Sequence, residues 1–188
     1  MNKASEQYII RGCIENDPKV QRELYQRFCG AMMGICVRYA PTIHEAEDLL
    51  QEGFIKVFRK IHTFEGKGYL AGWIKRIMVN TCLTYYRDNK ILRMYVEMDE
   101  EVLKEEAGFD VLSQLSADDL VTKIQSLPDG FRVVFNMYAI EGFSHQEIAD
   151  KLEISVGTSK SQLSRARAYL QKVIKKEEYQ DLNGTTVL

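Results

Sequence analysis

Between Glu153 and Glu177 the chain carries no acidic residue. Lys160, Arg165, Arg167, Lys172, Lys175 and Lys176 are the charges of that segment, in a protein whose formal net charge is −2. Cations gathered on one segment of a mildly acidic chain are chemistry for a phosphate backbone, concentrated by segregation and not by bulk charge. A second block, Phe64 to Arg87, interleaves rings with cations: Phe64, Tyr69, Trp73, Tyr85 and Tyr86 with Lys67, Lys75, Arg76 and Arg87. Rings stack on unpaired bases while cations hold phosphates, which is how single-stranded nucleic acid is bound. Bond-making chemistry finds no comparable support. The chain has no Walker loop, no nucleophile elbow and no convincing histidine–carboxylate constellation, so no catalytic residue and no cofactor are expected. Glu45, Glu47 and Asp48 are adjacent carboxylates at a helix start, where they favour the helix dipole. Cys13, Cys29, Cys36 and Cys82 form no CxxC pair, and His44, His62 and His145 lie far apart; buried reduced thiols and no metal site are expected.

The elements that must position these residues read as helices nearly throughout, which predicts an all-α fold. The 188 residues suffice for one or two domains, and 45% hydrophobic with 28% charged residues is ordinary for a soluble globular chain. A short helix is expected near residues 5 to 15. Asp17-Pro18 then reads as an N-cap followed by proline at the first helical position, opening a helix with Val20, Leu24, Phe28, Met32, Ile35 and Tyr39 on one side. Pro41 ends it, and Thr42 with Glu45 makes a capping box for the next helix, which carries Ala46, Leu49, Leu50, Phe54, Val57, Phe58 and Ile61. FEGKG, 64 to 68, is a loop. A third long helix shows Leu70, Trp73, Ile74, Ile77, Met78, Thr81 and Tyr85, with Trp73 on the apolar stripe and expected in the core.

Residues 1–90 thus form one helical domain. Residues 91–115 are acidic and read either as a mobile linker or as a solvated amphipathic helix, since Val102, Leu103, Phe109, Val111, Leu112 and Leu115 could dock. Residues 116–180 form a second small helical domain. Its first helix reaches Leu127, Pro128 opens the next, and Gly142 stops that one. Ser144 and Glu147 form another capping box. SHQEIADKL is then a short helix, EIS a turn, and VGTSKSQLSRARAYLQKVI a long helix: a helix-turn-helix whose second member is basic. Ile148, Ala149 and Leu152 line one side of its first helix, and Ser155 is a plausible N-cap for its second. Val156, Leu163, Ala166, Leu170 and Ile174 fall on one side of that second helix, with Ser161, Ser164, Arg165 and Ala168 opposite. Small polar residues plus arginine on an exposed face can enter a major groove. Gly157 and Thr158 sit in the first turn, where free N–H groups suit a phosphate. Lys160 and Arg165 have the reach for guanine, with phosphate contact the other role open to Lys160, and Arg167 is a flanking phosphate candidate.

SLPDGFRVVFNMYAIEGFSHQEIADKLEISVGTSKSQLSRARAYLQK resembles the promoter-recognition domain of the extracytoplasmic-function (ECF) sigma factors of bacterial RNA polymerase. DLLQEGFIKVFRKIHTFEGKGYLAGWIKRIMVNTCLTYYR resembles their N-terminal domain, and the two blocks stand in family order. The resemblance implies that Asp48, Gln51, Glu52, Ile55 and Lys56 dock on a coiled coil in the largest subunit of core RNA polymerase. By themselves these positions read as a solvated helix face. It implies that Phe64, Tyr69, Lys75, Arg76 and Asn80 hold the single-stranded −10 promoter element and a base flipped from the duplex. It places the −35 element on the helix-turn-helix. It further implies an anti-sigma partner. Ser159 stands where the family usually has valine, and Gln162 where it usually has arginine.

Two functions are thereby weighed. One is a dissociable sigma subunit that recruits core polymerase to promoter DNA and assists opening. The other is a conventional helix-turn-helix regulator of duplex DNA whose first domain senses a ligand. The aromatic-basic block, in place of a pocket motif or receiver-type carboxylates, separates them. No signal-peptide pattern and no apolar run of membrane length is present, so no membrane insertion and a cytoplasmic location are expected.

Overall fold

The computed structural model describes residues 3–94 and 117–184, with side chains over 5–89 and 119–175. The described residues are helical, with no strand among them: α1 (Lys3–Ile14), α2 (Pro18–Tyr39), α3 (Ile43–Lys60), a 3-10 turn (Ile61–Thr63), α4 (Leu70–Met94), α5 (Ala117–Gln125), α6 (Asp129–Phe135), a π-helical turn (Asn136–Ile140), α7 (His145–Leu152) and α8 (Val156–Gly184). They fall into two compact units, divided between Asp88 and Asn89. The acidic stretch 91–115 lies outside the described residues except for its first four, which continue α4.

Caps begin the helices where polar side chains can take up the unpaired first-turn N–H groups. Asp17 accepts from the Lys19 N–H, with Pro18 opening α2. Thr42 and Glu45 make a reciprocal capping box on α3. In the first unit α2 packs on α1 and α3. Val20, Leu24, Phe28, Met32, Ile35 and Tyr39 of α2 are all buried, with Ala46, Leu49, Leu50, Phe54 and Val57 of α3. Each fully buried aliphatic side chain of this kind contributes about 1.5–3 kcal/mol against exposure. Gly53 lets α3 approach α4: a Cβ there would fall 2.3 Å from the Met78 Sδ.

The buried row of α4 is Leu70, Ile74, Met78, Thr81, Cys82 and Tyr86. This corrects one expectation. Trp73 and Ile77 are only half-buried, because the row that meets the rest of the unit runs one position round from them. Cys13, Cys36 and Cys82 are buried free thiols, and Cys29 is half-buried. Burial, with the charges of Asp17 and Glu23, pushes the Cys13 thiol up to about 11. A hydrogen bond with Cys36, together with burial, raises that of Cys82. Both stay protonated core groups.

In the second unit α8 is the central rod, packed against α5, α6 and α7. Ile148, Ala149 and Leu152 of α7 face Leu163, Ala166, Leu170 and Ile174 of α8 in a common core. Arg132, 3% exposed, is held inside by the Leu127 carbonyl at 3.1 Å and by an ion pair with Asp129. Ala168, expected on the open side of α8, is 7% exposed and belongs with the buried residues.

Candidate nucleic-acid interface

The helix-turn-helix is built by local rules. Ser144 and Glu147 cap α7 reciprocally, and hydrogen bonds from Ser144 hold the Glu147 carboxyl below its usual range. Glu153 ends α7 in the left-handed conformation at φ 55°. Ser155 then opens α8, its Oγ accepting the Thr158 N–H at 2.9 Å. Because the turn is so short, the start of α8 is fixed relative to α7.

Across the turn, Ser159 is fully buried and its hydroxyl lies 2.9 Å from Nδ1 of His145. His145 stacks on Tyr138, with ring centroids 4.6 Å apart, and the Arg167 guanidinium lies over the Tyr138 ring at 5.8 Å. Burial, then the charges of Lys160 and Arg167, hold the His145 imidazole below its usual range, so it is neutral at pH 7. This pairing was missed from sequence, although serine in place of the usual valine was its trace.

The open face of α8 carries Gly157, Lys160, Ser161 and Ser164, all exposed, with Thr158 and Arg165 half-exposed beside them. Arg167 is half-buried against Tyr138. The Ser161 hydroxyl donates to the Thr158 carbonyl at 3.0 Å, so toward a ligand it offers lone pairs. Such an acceptor matches the amino groups of cytosine or adenine in a major groove.

The second candidate surface starts at the loop before α4. Gly66 at φ 72° and Gly68 at φ 94° take conformations that a side chain would strain. Between and after them stand Lys67, exposed, and Tyr69, 83% exposed. Phe64 is half-buried and tilts against Trp73, centroids 5.6 Å apart. Tyr69, Trp73, Arg76 and Asn80 follow at spacings of four, three and four, so they share one face of α4. Arg76 and Asn80 are exposed. Lys75 is half-buried and lies about 130° round the helix from that face. The structure therefore joins Phe64, Tyr69, Arg76 and Asn80, adds Trp73, and leaves Lys75 at the margin.

On α3, Asp48, Gln51 and Glu52 are exposed around Ile55, which is 50% exposed. Lys56 is paired to Glu52 at 2.6 Å. An open apolar side chain inside a polar rim is the composition of a protein-binding patch. Among the described residues no cluster of histidine, cysteine or carboxylate could hold a metal ion, and no helix is long and apolar enough to cross a membrane.

Known proteins match this arrangement at both ends. Residues 24–91 match sigma-70 region 2, and residues 117–170 match sigma-70 region 4. The RNA polymerase sigma-H factor of Pseudomonas aeruginosa is 26% identical, over 93% of this chain and 96% of its own length. The ECF RNA polymerase sigma factor SigW of Bacillus subtilis is 32% identical, over 75% of this chain and 81% of its own. A solved complex of the sigma factor RpoE with the anti-sigma factor NepR from Bartonella quintana is 24% identical, covering 82% of this chain and 96% of that one, with a TM-score of 0.48. A first domain that matches sigma-70 region 2 is that of a sigma subunit, not the sensor domain expected of a conventional duplex-binding regulator. Both regions in this order, and relatives matched over most of their length, make the chain a member of the extracytoplasmic-function sigma factors of bacterial RNA polymerase.

Proposed function

We propose a division of the sigma-factor task among three faces of this chain. The first domain, residues 1–90, binds core polymerase through Asp48, Gln51, Glu52, Ile55 and Lys56 on α3. It holds the single-stranded −10 element with Phe64, Tyr69, Arg76 and Asn80, and Lys75 reaches a phosphate from the margin. Segment 91–115 is an acidic connector. The second domain, 116–180, seats α8 in the major groove of the −35 element. Lys160 and Arg165 reach guanine, Ser161 and Ser164 accept from base amino groups, and Gly157 and Thr158 meet a phosphate at the helix start. Arg167 contacts a flanking phosphate after leaving the ring of Tyr138. The protein works in the cytoplasm as a specificity factor, with no reaction of its own, and an anti-sigma factor covers it when it is inactive.

The observation that carries this reading is the composition of the open face of α8. Gly157, Lys160, Ser161 and Ser164 form a row with no bulky apolar and no acidic side chain, opposite the buried row Leu163, Ala166, Leu170 and Ile174. Short side chains let a helix seat close to base edges, and an acidic side chain there would be repelled by the like-charged phosphates. The test is selection of a promoter library by core polymerase carrying native or variant chains. Ser164→Leu is expected to lose the −35 preference, since bulk there lifts the helix from the groove. An unchanged preference in both Ser164→Leu and Arg165→Ala would show that α8 does not read the −35 element.

A further inference from the structure

The start of α4 is capped from far away. Tyr69 occupies the N-cap position, its carbonyl accepting the N–H of Gly72 at 3.0 Å and of Trp73 at 3.2 Å. A tyrosine side chain has no acceptor placed to serve the first-turn N–H groups. The Leu70 N–H donates instead to Oε1 of Glu6 on α1, at 2.6 Å, across 64 positions of sequence. A carboxylate there also meets the positive end of the helix. α1 touches the 3-10 turn 61–63 as well. It faces the following loop across an open cleft of about 350 Å³, lined by Ile10 and Ile14 on one side and Phe64 and Glu65 on the other.

The loop is thus tied at both ends, and in its middle Lys67 pairs with Glu65 of the same loop at 2.6 Å. Phe64 leans on Trp73, and the loop's last peptide before α4 is held by Glu6. Between those ties lie two glycines at positive φ, Lys67, and the largely exposed ring of Tyr69. Without the Glu6 tie, the first turn of α4 would fray, as capless ends do. Fraying would unseat Tyr69, and would not disturb Asn80 more than two turns into the helix.

We propose that Glu6 is a positioning residue for promoter opening: it holds the first turn of α4 so that Tyr69 stands ready for an unstacked base. The role rests on the single-strand reading of α4 given above. Glu6 precedes the segment that matches sigma-70 region 2, residues 24–91.

Holoenzymes assembled with native, Glu6→Ala, Glu6→Gln and Tyr69→Ala chains test it on one promoter. Core affinity, closed-complex affinity and permanganate reactivity of the opened strand are measured. Loss of a helix cap corresponds to about fivefold in an equilibrium. Glu6→Ala is therefore expected to reduce opening about fivefold, with core and closed-complex affinity retained. Glu6→Gln keeps an acceptor oxygen and should restore most of the loss, which a bulk stability defect would not predict. Normal opening by Glu6→Ala beside defective Tyr69→Ala overturns the positioning role alone. An equal loss of core affinity and opening also overturns it, as the mark of a general structural role. Normal opening by Tyr69→Ala removes the single-strand reading, and the role of Glu6 with it.

Discussion

The two helices that present candidate DNA faces differ in what they show and in how they begin. α8 shows a glycine and short polar side chains, Gly157, Ser161 and Ser164, with cations at the side; α4 and its N-cap show rings, Tyr69 and Trp73, followed by Arg76 and Asn80. α8 is capped by Ser155, three residues from the N–H it serves, and α4 by a carboxylate 64 residues away. Each pairing suits its proposed task. A paired duplex offers base edges at the floor of a groove, which a slim helix reaches and a ringed one does not. An unpaired strand offers base faces, which rings hold and serines do not. A slim reading helix can be specified within its own motif, while the ringed surface depends on three separate segments of the first unit.

The largest expected effect breaks one side of the contrast and spares the other. Leu163 is 3% exposed, and Leu163→Asp buries a charge in the small second unit. A loss of about 4 kcal/mol or more follows from such a substitution, enough to unfold that unit. Circular dichroism should lose part of its helical signal, while the core-polymerase binding proposed for α3 persists; full loss of core binding would show that the units do not act separately.

Arg165→Ala comes next, at about 1–3 kcal/mol on the preferred duplex element. Fluorescence anisotropy of the holoenzyme on duplex −35 and single-stranded −10 oligonucleotides should show the loss on the duplex alone. Equal losses on both would erase the distinction between the faces. Ser155→Ala should cost about 1 kcal/mol of second-unit stability, as N-caps do. Urea denaturation measures it, and no shift of the midpoint would mean that α8 starts without its local cap.

The smallest effect is one of pH. His145 has its folded pKa below the unfolded value, so the unfolded chain binds its proton first. Stability is therefore full above the unfolded value of about 6.5 and is lost as pH falls through it toward the folded pKa. The second unit should melt at lower temperature at pH 5.5 than at pH 7.5, two working conditions of roughly one unit either side of that value. His145→Gln should flatten the difference, and an unchanged slope would assign it to other groups.

Much of this arrangement was legible in the sequence because its rules are short in range. The capping boxes at Thr42 and Ser144, the proline after Asp17, and the apolar rows of α2 and α3 all act within one or two helical turns. Trp73 was misplaced because a spacing of three or four fits two adjacent rows of α4, and only tertiary packing decides which is covered. Ala168 lies at the right angle for an open face but under cover, which periodicity does not register. The Glu6 tie was illegible for a simpler reason: no local pattern links residues 64 positions apart. Of the candidate −10 residues, Arg76 and Asn80 follow Tyr69 on one face of α4, while Lys75 lies about 130° round the helix, a separation that residue type alone does not register.

The hydrogen bond between Ser159 and His145 has a consequence for inheritance. Each residue alone would leave a polar group of this turn without its partner, Ser159 inside the core and His145 at its edge. Serine without a partner is a buried hydroxyl, and histidine beside valine is a ring nitrogen left unserved. Single replacements, Ser159→Val or His145→Ala, should each lower stability more than the two together, giving a favourable coupling in a double-mutant cycle. Lineages can then pass between the serine–histidine and the apolar versions of this turn only by crossing a weaker intermediate. The two positions should therefore covary among sigma factors, and a histidine at the start of the first helix should mark the chains that carry serine inside the second.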